Sequence, residues 1–325
     1  MSTGSLAYRS AIRFALREEL RRDDRVFIMG EDIGEAGGVF KVTEGLMNEF
    51  GPRRVIDTPI SETAIVGAAF GAAVSGLVPV VELMFSDFAM VAIDQIANQV
   101  AKHSYLSAGR EPASLVIRAV TGGGISFGPQ HSQSLEAWFT HIPGLISILP
   151  SNPRDAKGLL KSAIRNGQPT MFFEHKALYP ITGPVPEGEE ILPIGKCEIK
   201  TEGNNLTIVS AGAPVISCLE CAERLRSEGV HAEVIDLRTL SPLDTEPIFE
   251  SVGKTGRLMV VEEDVCAWGW GAEVVSRVAE ERVFALKGPI RRVGAPYSPI
   301  PFSPVLEKAY IPNIGRIYAV AKEMI

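Results

Sequence analysis

One carboxylate, Glu62, stands out as a residue that could do chemistry. It follows Thr58 and Ser61, either of which could cap a helix, and it precedes a run of small residues, 67–73, that packs too closely to hold water. An acid in the first turn of a helix ordinarily complements the helix dipole and does nothing more. If the Gly67-xxx-Gly71 surface buries it instead, its pKa would rise and it would share a proton with a partner. Its immediate surroundings leave both interpretations open.

A second candidate, His131, lies in a glycine-rich loop, 121–133, that follows a predicted strand. Loops at strand ends are where α/β folds bind their ligands. Because Gln130 and Ser132 flank it, His131 is not a core histidine; it is either a solvated loop residue or an acid-base group. His141 is a weaker candidate for the same role. The histidine spacing fits no zinc helix motif, and the triple glycine lacks the GxxxxGK[ST] form of a phosphate loop.

Composition excludes several classes of protein. The chain has 325 residues, of which 46% are hydrophobic and 22% charged, enough for a substantial core and two domains. Its net charge of −7 comes without any basic stripe, which argues against nucleic acid as a partner. Gly and Pro interrupt the apolar stretches before they reach the ~20 residues of a membrane span. Residues 1–8 resemble neither a secretory signal nor a transit peptide, so we expect a cytoplasmic protein without a membrane partner.

Short apolar runs alternate with helical patterns along the whole chain. The pattern predicts an α/β fold with two doubly wound domains, each built on a mostly parallel sheet. A Pro-, Gly- and Glu-rich stretch, 179–193, predicts a break in regular structure. We therefore place one domain at 1–180, a linker at 181–200 and a second domain at 201–325. In the first domain the predicted helices are 6–22, 87–102 and 155–164, and the predicted strands are 26–29, 79–85, 115–120, 145–149 and 170–174.

Several longer motifs occur together and in order: 29–34 (MGEDIG), 38–43 (GVFKVT), 57–62 (DTPISE), 130–133 (QHSQ) and 155–160 (DAKGLL). With these motifs the chain resembles, over nearly its whole length, the beta subunit of thiamine-diphosphate-dependent 2-oxo acid dehydrogenases. The pyruvate, branched-chain and acetoin enzymes belong to that family. The resemblance implies a transketolase-like pyrimidine-binding domain followed by a transketolase-type C-terminal domain.

The resemblance also implies roles for individual residues. Glu62 corresponds to the glutamate that hydrogen-bonds the aminopyrimidine ring of thiamine diphosphate and favours its imino tautomer. Phe88 corresponds to an aromatic residue that packs on this ring, and Ile60 and Met84 to neighbouring contacts. His131 corresponds to the histidine that assists acyl transfer to a lipoyl arm.

Family members often hold a potassium ion on backbone carbonyls. The corresponding positions in this chain are Leu115, Ala163, Ile164, Asn166 and Gln168. A helix C-terminus favours a cation, but the family usually has an acid where Asn166 stands.

The diphosphate end of the cofactor needs a Gly-Asp-Gly motif, and this chain has none. The resemblance therefore implies an alpha subunit that holds the diphosphate and its magnesium ion, within an alpha2-beta2 heterotetramer. It also implies two further partners, the lipoyl domain and the acyltransferase core of a multienzyme complex.

The expected function is that of a beta subunit that oxidises a 2-oxo acid or acetoin and transfers the acyl group to lipoate. Glu174-His175-Lys176 and the Pro301-Phe302-Ser303 tail favour pyruvate or acetoin, whereas Phe85-Ser86-Asp87-Phe88 resembles the branched-chain enzymes. Half of a split transketolase and a non-catalytic assembly subunit are the alternative functions.

Overall fold

The computed structural model describes residues 3–111 and 113–325 and divides the chain into two compact units. The first unit contains residues 1–121 and 138–194, and the second contains 122–137 and 195–325. The sequence boundaries proposed above differ from this division in two respects. They treat residues 181–200 as a linker, whereas the division counts 181–194 with the first unit and 195–200 with the second. They assign segment 122–137, which carries His131, to the first domain, whereas in the structure it belongs to the second unit.

The first unit is built on parallel strands in the order β6-β7-β5-β4-β2-β3. A separate two-stranded antiparallel sheet pairs β1 with β8. The strands of this unit are β1 Thr3–Ala7, β2 Val26–Gly30, β3 Val55–Asp57, β4 Val78–Leu83, β5 Val116–Thr121, β6 Ile146–Ile148, β7 Thr170–His175 and β8 Thr182–Pro186. The helices are α1 Tyr8–Arg22, α2 Leu46–Phe50, α3 Glu62–Val74, α4 His103–Leu106, α5 Glu136–Thr140 (which ends here but begins in segment 122–137) and α6 Pro153–Arg165.

The second unit contains a five-stranded sheet in the order β14-β13-β10-β11-β9, parallel except for β9. Its strands are β9 Glu198–Thr201, β10 Leu206–Ser210, β11 Ala232–Asp236, β12 Thr239–Ser241, β13 Leu258–Val265 and β14 Arg291–Ala295. Its helices are α7 Pro214–Arg226, α8 Glu246–Thr255, α9 Gly271–Arg282, α10 Pro304–Tyr310 and α11 Ile314–Met324. The α/β class and the parallel sheets predicted from the sequence are confirmed.

Tertiary contacts override the sequence pattern at both ends of the first unit. Helical periodicity begins at Leu6, but this residue lies in β1, opposite Gly183 of β8. Strand β8 occupies part of the stretch predicted to be irregular, and that prediction was wrong for Thr182–Pro186. Proline is tolerated there because each strand of a two-stranded sheet leaves one edge unpaired.

The helix predicted over residues 87–102 is broken into turns of different type. A 3₁₀-helix spans Ser86–Met90 and a π-helix spans Gln95–Val100. π-helices are uncommon and occur frequently near functional sites. Segment 87–102 is therefore helical in part, without the regular 3.6-residue repeat that the apolar pattern predicts.

Helix α7 carries two core thiols, Cys218 and Cys221. Both are free, and both lie in the buried apolar core of the second unit. Burial raises the pKa of Cys221 to about 11, and it also raises the pKa of Cys218. These thiols therefore stay protonated near neutral pH, unlike those of a redox motif.

A buried ionic network crosses the middle of the first sheet. Arg118 of β5 donates to Glu82 of β4 over 2.6 Å and, with two nitrogens, to Glu174 of β7 over 2.6 and 2.8 Å. The Tyr179 hydroxyl adds a further hydrogen bond to Glu174, over 2.8 Å. Burial alone would lower the pKa of Arg118, but Glu174 and Glu82 outweigh it and raise this pKa. The guanidinium is therefore charged and pairs with both buried acids, while burial raises the pKa of Glu82.

Replacing Arg118 by Met should destabilise the chain strongly, because two buried carboxylates lose their only guanidinium. Breaking a buried ion pair on one side costs roughly 3–5 kcal/mol, which urea unfolding would measure. Arg21→Met is the matched control, since the Arg21 side chain is 63% exposed where it pairs with Glu49, and such a pair contributes at most about 1 kcal/mol. Equal losses in the two variants would contradict this account of the network.

Candidate functional site

The candidate site in the first unit forms where parallel strands end. Paired residues Gly30 and Asp57 close β2 and β3, and Glu82 lies next to the end of β4. Because the carboxyl ends of parallel strands lie at one edge of a sheet, the segments that follow them come together. Glu31 follows β2, the segment 58–62 follows β3, and Met84 follows β4.

Backbone contacts hold the segment that leads to Glu62. The Asp57 carboxylate accepts a hydrogen bond from the Gly34 N–H over 2.6 Å, and the Thr58 N–H donates to the Gly30 carbonyl over 3.0 Å. A Cβ at position 34 would overlap the Asp57 carboxylate and the end of the Met47 side chain, both of which would have to move. These contacts fix the chain between β3 and α3.

Glu62 is the first residue of α3, as predicted. Ser61 is the N-cap residue but makes no side-chain cap, and the Thr58 hydroxyl is buried without a partner among the described residues. Glu62 is only 8% exposed. The structure gives its carboxylate no hydrogen-bond or ion-pair partner within residues 3–111 and 113–325. The side chain is largely buried while its carboxylate oxygens keep access to the surface, so a ligand can reach them and supply a hydrogen-bond donor.

A second acid, Glu31, lies near Glu62 and was missed by the sequence analysis. Burial raises the pKa of Glu31, and the charges of Glu62, Asp32 and Glu82 raise it further. The sequence did contain a signal for Glu31, because this acid comes directly after the apolar strand Val26–Gly30. Glu31 therefore holds its proton more tightly than a solvated acid does.

The three apolar candidates differ in exposure. Ile60 is 84% exposed, whereas Met84 and Phe88 are half-buried. Phe88 makes an edge-to-face contact with Phe85, whose ring contacts Phe40 in the same way. Aromatic neighbours therefore support the Phe88 ring, which stays partly exposed at the surface.

The five carbonyl positions proposed for potassium lie in the first unit, around the C-terminal end of α6. The Leu115 carbonyl accepts from the Thr170 N–H over 2.9 Å, and the Gln168 carbonyl accepts from the Thr170 hydroxyl over 3.2 Å. The Asn166 side-chain oxygen accepts from the Gln168 N–H over 2.5 Å. Helix-end carbonyls at Ala163 and Ile164 provide negative potential nearby. In the described part of the chain, no group of three or more His, Cys, Asp or Glu is placed to hold a metal ion.

His131 lies in the second unit, whereas Glu62, Ile60, Met84 and Phe88 lie in the first. His131 is half-buried, and its backbone N–H donates to the Gly128 carbonyl over 3.3 Å. The Gly122 N–H donates to the Gln133 carbonyl over 3.2 Å and closes the base of the loop. His141 is exposed.

Acidic residues surround the end of β13 in the second unit. Burial, followed by the charge of Glu136, raises the pKa of Asp264 to about 8. Glu262 and Glu263 add smaller effects in the same direction, and the Val265 N–H, which donates to Asp264, opposes them. Asp264 is therefore largely protonated at neutral pH.

Two family models match the chain: "Transketolase, pyrimidine binding domain" over residues 4–182 and "Transketolase, C-terminal domain" over residues 195–317. The structure is also similar to a solved structure described as "Split gene transketolase, inactive beta4 tetramer". That similarity has a TM-score of 0.81 and 23% sequence identity, and it covers 99% of this chain and 98% of the other. At this identity, the similarity shows a common fold and nothing about activity.

Curated relatives match over almost the whole chain. The 2-oxoisovalerate dehydrogenase subunit beta of Bacillus subtilis is 44% identical over 98% of this chain and 98% of its own length. The acetoin:2,6-dichlorophenolindophenol oxidoreductase subunit beta of Cupriavidus necator is 46% identical over 98% and 97%. The pyruvate dehydrogenase E1 component subunit beta of Rhizobium meliloti is 42% identical over 98% of this chain and 69% of its own length.

Asp264 leads to a test of stability against pH. Its pKa in the folded chain lies above the ordinary value of 3.8, so the stability it contributes is complete below about pH 4 and is lost as the pH rises through about 8. Asp264→Asn removes this loss and keeps an oxygen for the Val265 N–H. The variant should therefore gain thermal stability over the wild type as the pH rises from 5 to about 8, and little more beyond that.

Thermal unfolding at several pH values measures this difference. Asp24→Asn is the control, because the Asp24 side chain is fully exposed. A difference between Asp264→Asn and the wild type that stays constant from pH 5 to about 8 would show that Asp264 is an ordinary solvated acid.

Proposed function

Since this chain belongs to the family of 2-oxo acid and acetoin dehydrogenase beta subunits, we propose that Glu62 acts on the pyrimidine end of thiamine diphosphate. The observation that carries the proposal is the carboxylate of the largely buried Glu62, which has no partner in the described part of its own chain. A ring nitrogen of the cofactor would supply the missing hydrogen bond. The relatives are named as oxidoreductase subunits, and this chain is likewise an oxidoreductase subunit.

Bound thiamine diphosphate would supply the electron sink that cleavage of a 2-oxo acid or acetoin requires. Glu62 shares a proton with the aminopyrimidine ring, and a desolvated acid does this better than a solvated one. The Glu31 carboxyl, whose pKa is raised, lies close to Glu62 and can hold a proton beside it. Phe88 offers its partly exposed ring surface to the pyrimidine, and Met84 and Ile60 complete the apolar contacts.

We assign His131 to the second half of the reaction. A half-buried imidazole on a loop can hold a proton for the sulfur that is released when a lipoyl disulfide opens. The lipoyl domain and its acyltransferase core are the proposed partners in this step. The beta-subunit names of the relatives support an alpha subunit as partner, and alpha2-beta2 is the assembly that we propose.

The diphosphate and its magnesium ion are assigned to the alpha subunit. This chain lacks a Gly-Asp-Gly motif, and its acidic side chains form no metal cluster within residues 3–111 and 113–325. A potassium ion on the carbonyls at the end of α6 is a further proposal. Neutral Asn166 contributes no charge there, so any such site depends on carbonyl dipoles.

The substrate is a 2-oxo acid or acetoin, with pyruvate or acetoin favoured. Identities of 42–46% to the three kinds of relative do not separate them. The structure weakens the sequence argument from Glu174-His175-Lys176 for pyruvate or acetoin, because Glu174 binds Arg118 and Tyr179 in the core. Assays of the alpha/beta pair on pyruvate, acetoin and 2-oxoisovalerate would identify the substrate, and formation of a ketose from sugar phosphates would favour a transketolase instead.

Glu62→Gln should reduce turnover of the alpha/beta complex by about 10²-fold or more, because an amide cannot share the proton. Assembly should be unaffected, as size-exclusion chromatography would show. Glu44→Gln, on an exposed side chain, is the control and should keep full activity. If the Glu62 variant kept most of its activity, the role assigned to this carboxylate would be wrong.

His131→Ala should slow formation of acyl-lipoyl product by about 10²-fold in single-turnover experiments, while the affinity for thiamine diphosphate stays within about twofold. His141→Ala, on an exposed histidine, should change neither quantity. Equal effects of His131→Ala on cofactor affinity and on acyl transfer would contradict the assignment.

A further inference from the structure

The glycine loop, which we define as residues 122–134, carries His131 and belongs to the second unit. Within the loop, the Gly122 N–H donates to the Gln133 carbonyl at its base and the His131 backbone N–H donates to the Gly128 carbonyl. A segment of this length also needs contacts to the rest of its unit to keep one conformation.

Glu307 of α10 supplies several of the contacts between the glycine loop and the rest of the second unit. One carboxylate oxygen accepts from the Gly124 N–H over 2.9 Å, and the other accepts from the Ser126 N–H and hydroxyl over 2.9 and 3.0 Å. Glu307 is only 3% exposed. In the described part of the chain, these loop groups are the only donors to its carboxylate. Hydrogen bonds to an ionised acceptor are about twice as strong as neutral ones.

Glu263 of β13 holds the base of the same loop. It accepts from the Gly123 N–H over 2.7 Å and from the Ser134 hydroxyl over 3.4 Å. A Cβ at position 123 would press against the ends of the Ile300 and Ile311 side chains, so the loop lies closely on these residues. The loop is therefore held at its base by the half-buried Glu263 and further along by the buried Glu307.

Ser126 shows what Glu307 contributes to the loop conformation. Its φ of 59° lies in the left-handed region, which costs a residue other than glycine about 1 kcal/mol or more. Both the N–H and the hydroxyl of Ser126 bind Glu307, and this pair of hydrogen bonds offsets the cost. Without the carboxylate, the backbone at Ser126 would relax and the following residues, His131 included, would move.

We propose that Glu307 is a positioning residue that acts on acyl transfer through the glycine loop, by holding His131 in place. The proposal rests on the function proposed for His131. Glu307 lies 181 positions from Ser126 in sequence, and it touches the loop backbone rather than the imidazole. It therefore sets the geometry of His131 without taking part in the reaction itself.

The test uses the assembled alpha/beta complex with Glu307→Gln. The amide keeps the size of the side chain but presents N–H donors to loop N–H groups, so the loop should loosen. Acyl transfer to the lipoyl domain should fall about 10-fold or more, because misplacement by ~1 Å can cost a factor of this order. Oxidation measured with dichlorophenolindophenol, which needs no lipoyl arm, should stay within about twofold. Glu323→Gln, on an exposed acid of α11, is the matched control.

Combining Glu307→Gln with His131→Ala separates positioning from general damage. A residue that acts through His131 adds nothing once the imidazole is gone, so the double variant should transfer acyl groups as slowly as His131→Ala alone. Additive losses, or equal losses of acyl transfer and dye-linked oxidation, would overturn the proposal. If Glu307→Gln does not assemble, Ser126→Ala carries the same test, since it removes the hydrogen bond of the hydroxyl to Glu307 while the cost of the left-handed φ remains.

Hydrogen exchange of the loop peptide gives a measurement that needs no activity. In Glu307→Gln the amides of Gly124 and Ser126 should exchange faster than in the wild type, and in Glu323→Gln they should not. Faster loop exchange in a complex that oxidises neither 2-oxo acids nor acetoin would refute the proposed function and leave the loop contact intact. Unchanged exchange and unchanged acyl transfer in an active complex would refute the positioning role alone.

Discussion

The cost of burying a carboxylate is the constraint on which the arrangement of both units depends. An ionised acid taken out of water needs an opposite charge or several hydrogen-bond donors. Glu82 and Glu174 share Arg118, and Glu307 receives the amides of the glycine loop. Glu62 is equally buried and has neither within the described chain. The first two arrangements stabilise the fold, whereas the Glu62 carboxylate is left for a ligand to pair with.

This difference explains why the ionic network of the sheet and the candidate site lie so close along the strands. Glu82 of β4 pairs with Arg118, and its charge is also one of the causes that raise the pKa of Glu31 after β2. Arg118 therefore compensates the sheet interior, and the acids beyond the strand ends remain uncompensated. Negative charge accumulates at the edge where the sequence places Glu62.

Much of the fold and part of the site could be predicted from the sequence, for local reasons. The alternating apolar pattern is enough to give the parallel sheets, and the residues before Glu62 are enough to give the start of α3. The β1-β8 pairing and the exchange of segment 122–137 into the second unit depend on contacts between distant residues, which no local pattern encodes. Glu307 was overlooked for the same reason, since it lies in an ordinary helical turn and acquires its role only where the loop packs on it.

The site of this chain is incomplete in a specific chemical sense. Its acids and aromatic rings suit a neutral or protonated heterocycle, whereas a diphosphate would be repelled by Glu31 and Glu62 unless cations were supplied. The sequence has no Gly-Asp-Gly motif to bring a metal ion. The same negative edge that favours the pyrimidine thus disfavours the other end of the cofactor. The proposed division of the cofactor between two polypeptides would resolve this conflict, because a second subunit would bring the magnesium ion and the diphosphate ligands together.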